Sequence, residues 1–488
     1  EPGTRPLVVD PFAGGGSIPL EALRVGADAF ASDLNPVAVL LNKVVLEYIP
    51  KYGQRLADEV RKWGDLIKKE AEKELSEFFP VDSDGAIPIA YIWARRIKCE
   101  GPKCGTEVPL IKSLWLARKS KHSTALELLV DAKSKKIGIN IVHNAKAVGA
   151  GTTLGGAVTC PVCGYTTPVE RVRAQMCEQV GGANNARLIV VVTTRPNTSG
   201  RSYRLPVEKD LLAVKKAATK LSSICASQLG MVSHIPDEPI NHLRGFFNVV
   251  LYGMKTWGNL FTTRQALTLV LLCDLIRSMI RRIANANDPE LIRAVQVCMA
   301  LSLGKQADRN SAVCRWISQN EATGYTFGRQ ALPMNWDFVE MSPLRSSGAW
   351  SGIIGDTIEV IESQNTQKYA GTAIQSSAND LPLPDNSAQL LFTDPPYYSA
   401  IPYADLSDFF YVWLKRALFD SLPDLFAYSL APKDQECVAL SHRAAMYRNK
   451  DSLWFETEIG KACQRARTVV KREGIGCFVF ANKETAGW

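Results

Sequence analysis

The sequence predicts an α/β protein whose parallel sheet is interrupted by a long insertion. Three observations carry this. Near the N-terminus a β-like run at 7–10 (LVVD) meets a glycine turn, a helix-like stretch (SIPLEALRVG) and a second short run at 27–33 (ADAFASD), and strands alternating with helices make parallel sheets. From residue 371 the alternation returns, with an apolar strand at 388–393, helical patterns at 406–418 and 454–472, and a closing buried strand at 476–481 (GCFVFA). Between these stretches the pattern breaks, and paired cysteines, a basic block and a glycine-rich stretch at 149–156 take its place.

Taken in order, residues 1–80 read as the first half of the sheet domain, ending in a long amphipathic helix at 52–79. Residues 81–205 read as an inserted small domain with β-like segments at 137–142 and 187–193. Residues 206–345 are mostly helical by apolar periodicity, above all at 262–283 and 289–303, and residues 346–488 supply the second half of the sheet domain. A chain of 488 residues needs two or three folding units, since single cores stop growing near about 250–300 residues. At 46% hydrophobic and 22% charged, the composition excludes a disordered or collagen-like chain. The most apolar stretch, 265–280, is broken by Thr268, Cys273, Asp274 and Arg277, so no bilayer span is expected. The opening EPGTRPLVVD is no signal peptide. Because Glu1 leads almost directly into the first strand and only seven residues follow Ala481, the chain reads as a fragment with strands wanting at both ends.

The net charge of +8 is local. Residues 90–174 hold 14 Lys and Arg against five acids, and the remainder is near neutral. Such a block suits a polyanionic partner, because neutralising phosphates releases counterions. The competing reading is a solvated surface.

The turn Asp10-Pro11-Phe12-Ala13-Gly14-Gly15-Gly16-Ser17 joins the first strand to a helix. Glycines there let backbone approach a ligand closely, and the helix start offers N–H groups to polar ligand ends. Asp33 closes the next strand-like run, where a carboxylate can accept both hydroxyls of a ribose. Neither GxGxxG nor a Lys-Ser/Thr phosphate loop is present. The pattern therefore points to a nucleoside ligand without a pyrophosphate, of which S-adenosylmethionine is the obvious example.

The segment Leu390-Leu391-Phe392-Thr393-Asp394-Pro395-Pro396-Tyr397-Tyr398 is the most informative in the chain. An apolar strand delivers Asp394 to its C-terminal end, and two prolines stiffen the turn that follows. Asp394 and the Pro395 carbonyl can accept the two N–H bonds of an exocyclic amine, and Tyr397 offers a face for an extruded base. Tyr398 and Tyr403 are weaker candidates for contacts near that base. Presenting an amine to a methyl sulfonium asks mainly for orientation and electrostatics. The alternative is an ordinary strand-to-loop turn that Asp394 caps. The aromatic run Phe409-Phe410-Tyr411-Val412-Trp413 reads as core. The five histidines form no triad with Ser or Cys.

Twelve cysteines without a secretory signal imply a reducing, cytoplasmic setting. Cys160-Pro-Val-Cys163-Gly164 and Cys99-Glu-Gly-Pro-Lys-Cys104-Gly105 have the spacing of two zinc hooks, and four thiolates make a closed, structural tetrahedral site. The 55 residues between Cys104 and Cys160 leave His122, His143 or Cys177 as substitutes for one ligand. Cys225, Cys273, Cys298, Cys314, Cys437, Cys463 and Cys477 read as packing residues.

DPFAGGGS followed by DPPYY resembles the cofactor and catalytic motifs of amino-group, S-adenosylmethionine-dependent DNA methyltransferases. More closely, the chain resembles the adenine-specific DNA methylases with an internal zinc ribbon. That resemblance runs through ASDLNPVAVLLNK, CPVCGYTTPVERVRAQ, FTTRQALTLV, KQADRNSAVCRW, TFGRQALPMNWDFVE and TDPPYYSAIPYADLSDFFYVWLKR. It implies a Rossmann-like methyltransferase sheet split by a zinc-ribbon insertion and a helical region. Asp10, Phe12, Ala13, Gly14 and Gly16 would line the cofactor's methionine side and Asp33 its ribose, with Asn35 also cofactor-binding. Asp394, Pro395, Pro396 and Tyr397 would hold an adenine for N6 methylation, and Cys99, Cys104, Cys160 and Cys163 a structural zinc. Relatives often carry Gly-Asp-Ala where Ser376 to Asp380 stand here. The partner implied is double-stranded DNA, with other subunits of a restriction-modification or phage-defence complex and no membrane. An RNA or cytosine N4 target and a catalytically idle DNA-binding subunit are the competing readings.

Overall fold

The computed structural model describes residues 5–119, 122–196, 198, 200–226, 232–283, 287–346, 348–365 and 369–480. Lys121 of the basic block and Ala481 of the expected closing strand lie outside them. The chain forms two compact units, one of residues 1–67, 273–304 and 353–488, the other of residues 68–272 and 305–352. These units follow different boundaries from the sequence segments. Part of the helical region, 273–304, belongs to the first unit, and 68–80 to the second.

The first unit is built on five parallel strands: β1 (Leu7–Asp10), β2 (Asp28–Asp33), β3 (Thr372–Gln375), β4 (Ala388–Thr393) and β5 (Val470–Phe478). Their order across the sheet is β3-β2-β1-β4-β5. Strand periodicity sends neighbouring side chains to opposite faces. Val8 thus joins Ala22, Leu23, Ala29, Ala31 and Ala373 on one side, while Val9 joins Phe30, Leu391, Ala466 and Val469 on the other. Apolar residues on both faces are what a parallel sheet covered by helices requires. The aromatic run is core as expected: Phe409, Tyr411 and Trp413, in the helix Tyr403–Leu418, are fully buried.

The last strand departs from expectation. The helix before it, Ser452–Val469, ends three residues early, and β5 begins at Val470 with a register shift against β4 between Ala388 and Leu390. It is no buried strand, because among the described residues it lies at the sheet edge, with Ile475 and Phe478 exposed.

The second unit centres on an antiparallel sheet in the order Ser202–Arg204, Arg187–Thr194, Ile87–Ala94, Asp337–Met341. Against it Arg264 and Glu340 form a fully buried, bidentate ion pair at 2.8 and 2.9 Å, and Glu340 also accepts the Trp93 indole N–H at 2.8 Å. Removing one partner of such a pair strands a charge in a low dielectric. Glu340→Gln is therefore expected to destabilise the protein by about 3–5 kcal/mol in denaturant titration, and an unchanged midpoint would contradict this role. Among the described residues no helix is long and apolar enough to cross a membrane.

Candidate functional site

The C-terminal ends of β1, β2 and β4 bring Asp10, Asp33 and Asp394 to one side of the sheet of the first unit. The strand order reverses between β1 and β4, which is where open α/β sheets bind ligands. A cavity of about 410 Å³ opens there. It is lined by the glycine turn, by Asp33 to Asn35 and the helix after them, by Ala378, Asp394 and Pro396, and by Tyr403, Ser407, Glu436 and Cys437.

The turn's shape is fixed from behind. The Asp33 carboxylate accepts the amides of Gly14 and Asn35, both at 2.9 Å, and the Asn42 side chain donates to the Gly14 carbonyl at 3.0 Å. The Leu34 amide also bonds this carboxylate, and since a carboxylate accepts about four hydrogen bonds, Asp33 keeps capacity for one further donor. Asn35 is committed internally: its Oδ1 caps the helix Pro36–Asn42 and its Nδ2 donates to Ser407. Gly14 and Gly15 line the cavity, whereas Gly16 lies buried behind it at φ 81°, where an added Cβ would come within 2.5 Å of Asn42 Oδ1. Gly16 thus shapes the turn and does not face the cavity.

Asp10 is nearly wholly buried, and one oxygen, Oδ1, accepts both the Thr393 hydroxyl at 2.6 Å and the Phe12 amide at 3.1 Å. Burial pushes its carboxyl up to about 6 against those two bonds, and the charges of Asp33 and Asp394 add to the rise. Below its ordinary value of 3.8 both folded and unfolded forms are neutral and burial costs nothing; between there and about 6 the folded chain holds a proton the unfolded chain has lost, so stability falls as pH rises. Asp10→Asn keeps the Oδ1 acceptor. It is expected to match wild type in thermal stability near pH 4 and to exceed it above pH 6; equal melting temperatures at pH 7 would contradict the assignment.

Asp394 stands exposed beyond β4, and Pro395 is buried beneath it. The Tyr397 hydroxyl donates to the Asp394 carboxylate, a contact that raises the phenol to about 12, with burial adding. Tyr397 also packs edge-on against Phe480, at 5.6 Å between centroids. Tyr398 is held in the left-handed region at φ 42°, pinned by its ring on Phe455 at 4.3 Å and by its hydroxyl to Glu456 at 3.1 Å. These contacts anchor the turn, and Tyr398 stays half-buried. Tyr403 is 44% exposed and lines the cavity, leaving it open to contact.

The cavity wall carries four carboxylates, Asp10, Asp33, Asp394 and Glu436, and no Lys, Arg or His among the described residues. Sequence reading missed Glu436, Cys437, Ser407 and Ala378. Glu436 and Cys437 sit in irregular chain with no motif around them, whereas Ala378 falls within the segment 376–380 already singled out.

In the second unit the four predicted cysteines converge. The strands Arg96–Lys98 and Glu107–Pro109 pair antiparallel around the first hook, and Ala157–Thr159 and Thr166–Thr167 pair around the second. All four Sγ atoms lie within 4.8 Å of one another, with Cys99 to Cys163 at 3.5 Å and Cys104 to Cys160 at 3.9 Å. Tetrahedral zinc with Zn–S bonds of about 2.3 Å puts its sulfurs about 3.8 Å apart, so the set fits a metal ion. Gly101 is required between the hooks: a Cβ there would lie 2.8 Å from Tyr165 and 3.0 Å from Cys163 Sγ. The Thr106 hydroxyl and amide hold the Cys104 thiol down at about 6. No histidine is needed. The long gap holds a three-stranded sheet (Trp115–Lys119, His122–Asp131, Lys136–His143), Cys177 points to the Leu251 carbonyl, and His143 lies beside Thr124. Of the cysteines read as packing, Cys225 is exposed and Cys437 reaches the cavity.

Part of the basic block is spent internally. Arg95 is fully buried and donates to the carbonyls of Gly181, Asn335 and Ala312, while Arg96 pairs with Glu107, Arg171 with Glu100 and Lys119 with Glu321. Comparison with protein families, with curated proteins and with solved structures finds no match to this chain.

Proposed function

We propose that this chain is an S-adenosylmethionine-dependent DNA methyltransferase acting on adenine N6, with a structural zinc in its second unit. The observation that carries the cofactor reading is the charge of the cavity. The aspartates Asp10, Asp33 and Asp394, with no cation beside them among the described lining residues, disfavour the pyrophosphate of a dinucleotide or ATP and favour a nucleoside that carries positive charge. The strand order β3-β2-β1-β4-β5 matches the doubly wound nucleotide folds, with Asp33 at the end of β2 in the ribose position. When bound, the cofactor supplies an activated methyl group on a sulfonium.

The chain's own residues orient the acceptor. Asp394, at the rim of the same cavity, accepts an N–H of the target amine and so turns its lone pair toward the methyl donor; Pro395 and Pro396 keep that carboxylate from swinging away. A base reaching Asp394 takes the place of the Tyr397 hydroxyl, which frees the tyrosine ring to stack on it. The remaining cations of 90–174 supply the phosphate contacts that a duplex needs. Equilibrium binding with labelled ligands tests the cofactor step. S-adenosylmethionine and S-adenosylhomocysteine are expected to bind and ATP and NAD to fail, whereas the reverse preference would end this reading.

A further inference from the structure

Glu436 is a carboxyl that the fold leaves half satisfied. It is 8% exposed and lines the cavity. One oxygen, Oε1, accepts the Ala404 amide at 2.8 Å in the first turn of the helix Tyr403–Leu418. The other, Oε2, is buried and has no hydrogen-bond partner among the described residues. Lys433 and Lys450 do not answer it. Lys433 pairs with Asp408 at 2.7 Å, and the Lys450 ammonium donates to the backbone carbonyls of Lys433 and Glu436 at 2.5 and 2.7 Å. Asp405, on the helix packed against it, is taken by the Tyr447 hydroxyl at 2.6 Å, and Tyr403 lies on the cavity side. A buried polar atom without a partner, on a residue that lines a cavity, marks a place where a ligand can complete the hydrogen bonding.

We infer that Glu436 is a ligand-contacting residue whose Oε2 receives a positively charged N–H donor, an ammonium group. This rests on the cofactor reading above, in which the ammonium belongs to the amino-acid end of the cofactor. A cation is favoured over a neutral hydroxyl because Asp10, Asp33 and Asp394 also line the cavity and no Lys, Arg or His among the described residues does. Burial, with the charge of Asp405 adding, holds the Glu436 carboxyl up at about 8 despite the Ala404 amide and the two lysines. The acid is therefore neutral at pH 7 until a cation arrives. On binding, the O–H bond of Glu436 breaks, its proton passes to buffer, and the carboxylate pairs with the ammonium.

The test compares S-adenosylhomocysteine, which has the ammonium, with methylthioadenosine, which lacks it, on the full chain and on Glu436→Gln. Glutamine keeps the acceptor for Ala404, and methylthioadenosine binding reports that the cavity is intact. Wild type is expected to bind S-adenosylhomocysteine at pH 7 with release of close to one proton, read by calorimetry in buffers of different ionisation enthalpy. Glu436→Gln is expected to weaken that ligand by about 10- to 100-fold without proton release, and to leave methylthioadenosine unchanged. Equal weakening of both ligands, or an unaltered affinity for S-adenosylhomocysteine, overturns the inference while leaving the cofactor reading in place. Failure of wild type to bind either ligand overturns both.

Discussion

Asp394→Ala is expected to lower methyl transfer by at least about 100-fold in kcat while cofactor affinity stays within a few-fold of wild type. The split follows from where the residue stands. Asp394 is exposed at the rim of the cavity, beyond the strand that carries it, and among the described residues its side chain accepts the Tyr397 hydroxyl. Truncating it removes the acceptor that orients the amine, without touching the glycine turn or Asp33. The turn survives because its stiffness comes from two prolines and from the pinned Tyr398. Asp394→Asn, which keeps one acceptor oxygen but loses the charge, is expected to fall between the two. Single-turnover assays with labelled cofactor, beside a binding titration, separate the effects; full activity in Asp394→Ala would remove the catalytic role given to this turn.

Stripping metal from the cysteine cluster is expected to have the largest effect on stability. Apparent zinc affinities in small zinc domains correspond to about 10–16 kcal/mol, as much as the whole stability of a typical domain, about 5–15 kcal/mol. Cys99 and Cys160 are also members of an apolar cluster with Ile97, Val108, Val158, Val172, Met176 and Trp336, so releasing the hooks opens that cluster as well. Elemental analysis is expected to find about one zinc per chain, and a strong chelator or Cys160→Ser to lower the melting temperature of the second unit sharply. A metal-free preparation that melts where the purified protein does would show that the four thiols hold nothing structural.

How much of this was legible in the sequence depended on whether local chain made the site. Asp10, Asp33 and Asp394 each follow an apolar run, so a strand period followed by an acid was enough to find them. The cysteine hooks are equally local, since two hairpins present them and spacing suffices. Glu436 was invisible because its position is tertiary: it sits in irregular chain at 430–440, and only the packing of the helix Tyr403–Leu418 turns it into the cavity. Gly16 departs the other way: its motif places it beside the cofactor, but the fold uses it for close backbone packing, while Asn35 both lines the cavity and caps the helix after it. The unit boundaries escaped for a physical reason too. Both 67/68 and 272/273 fall inside continuous helices, Gln54–Leu75 and Thr263–Ile283, and an unbroken period of 3.6 residues carries no mark of where a unit ends. The closing strand was read as buried because GCFVFA is apolar, while exposure is decided by what lies beside it in the sheet.

The central claim is that one anionic cavity joins a methyl-bearing nucleoside to an amine held by Asp394. Incubating the protein with methyl-labelled S-adenosylmethionine and double-stranded DNA, then digesting the DNA to nucleosides, tests it most directly. Label is predicted to appear as N6-methyldeoxyadenosine and to disappear with Asp394→Ala. Label on cytosine N4, transfer to RNA in preference to DNA, or cofactor binding without transfer to any nucleic acid would contradict it.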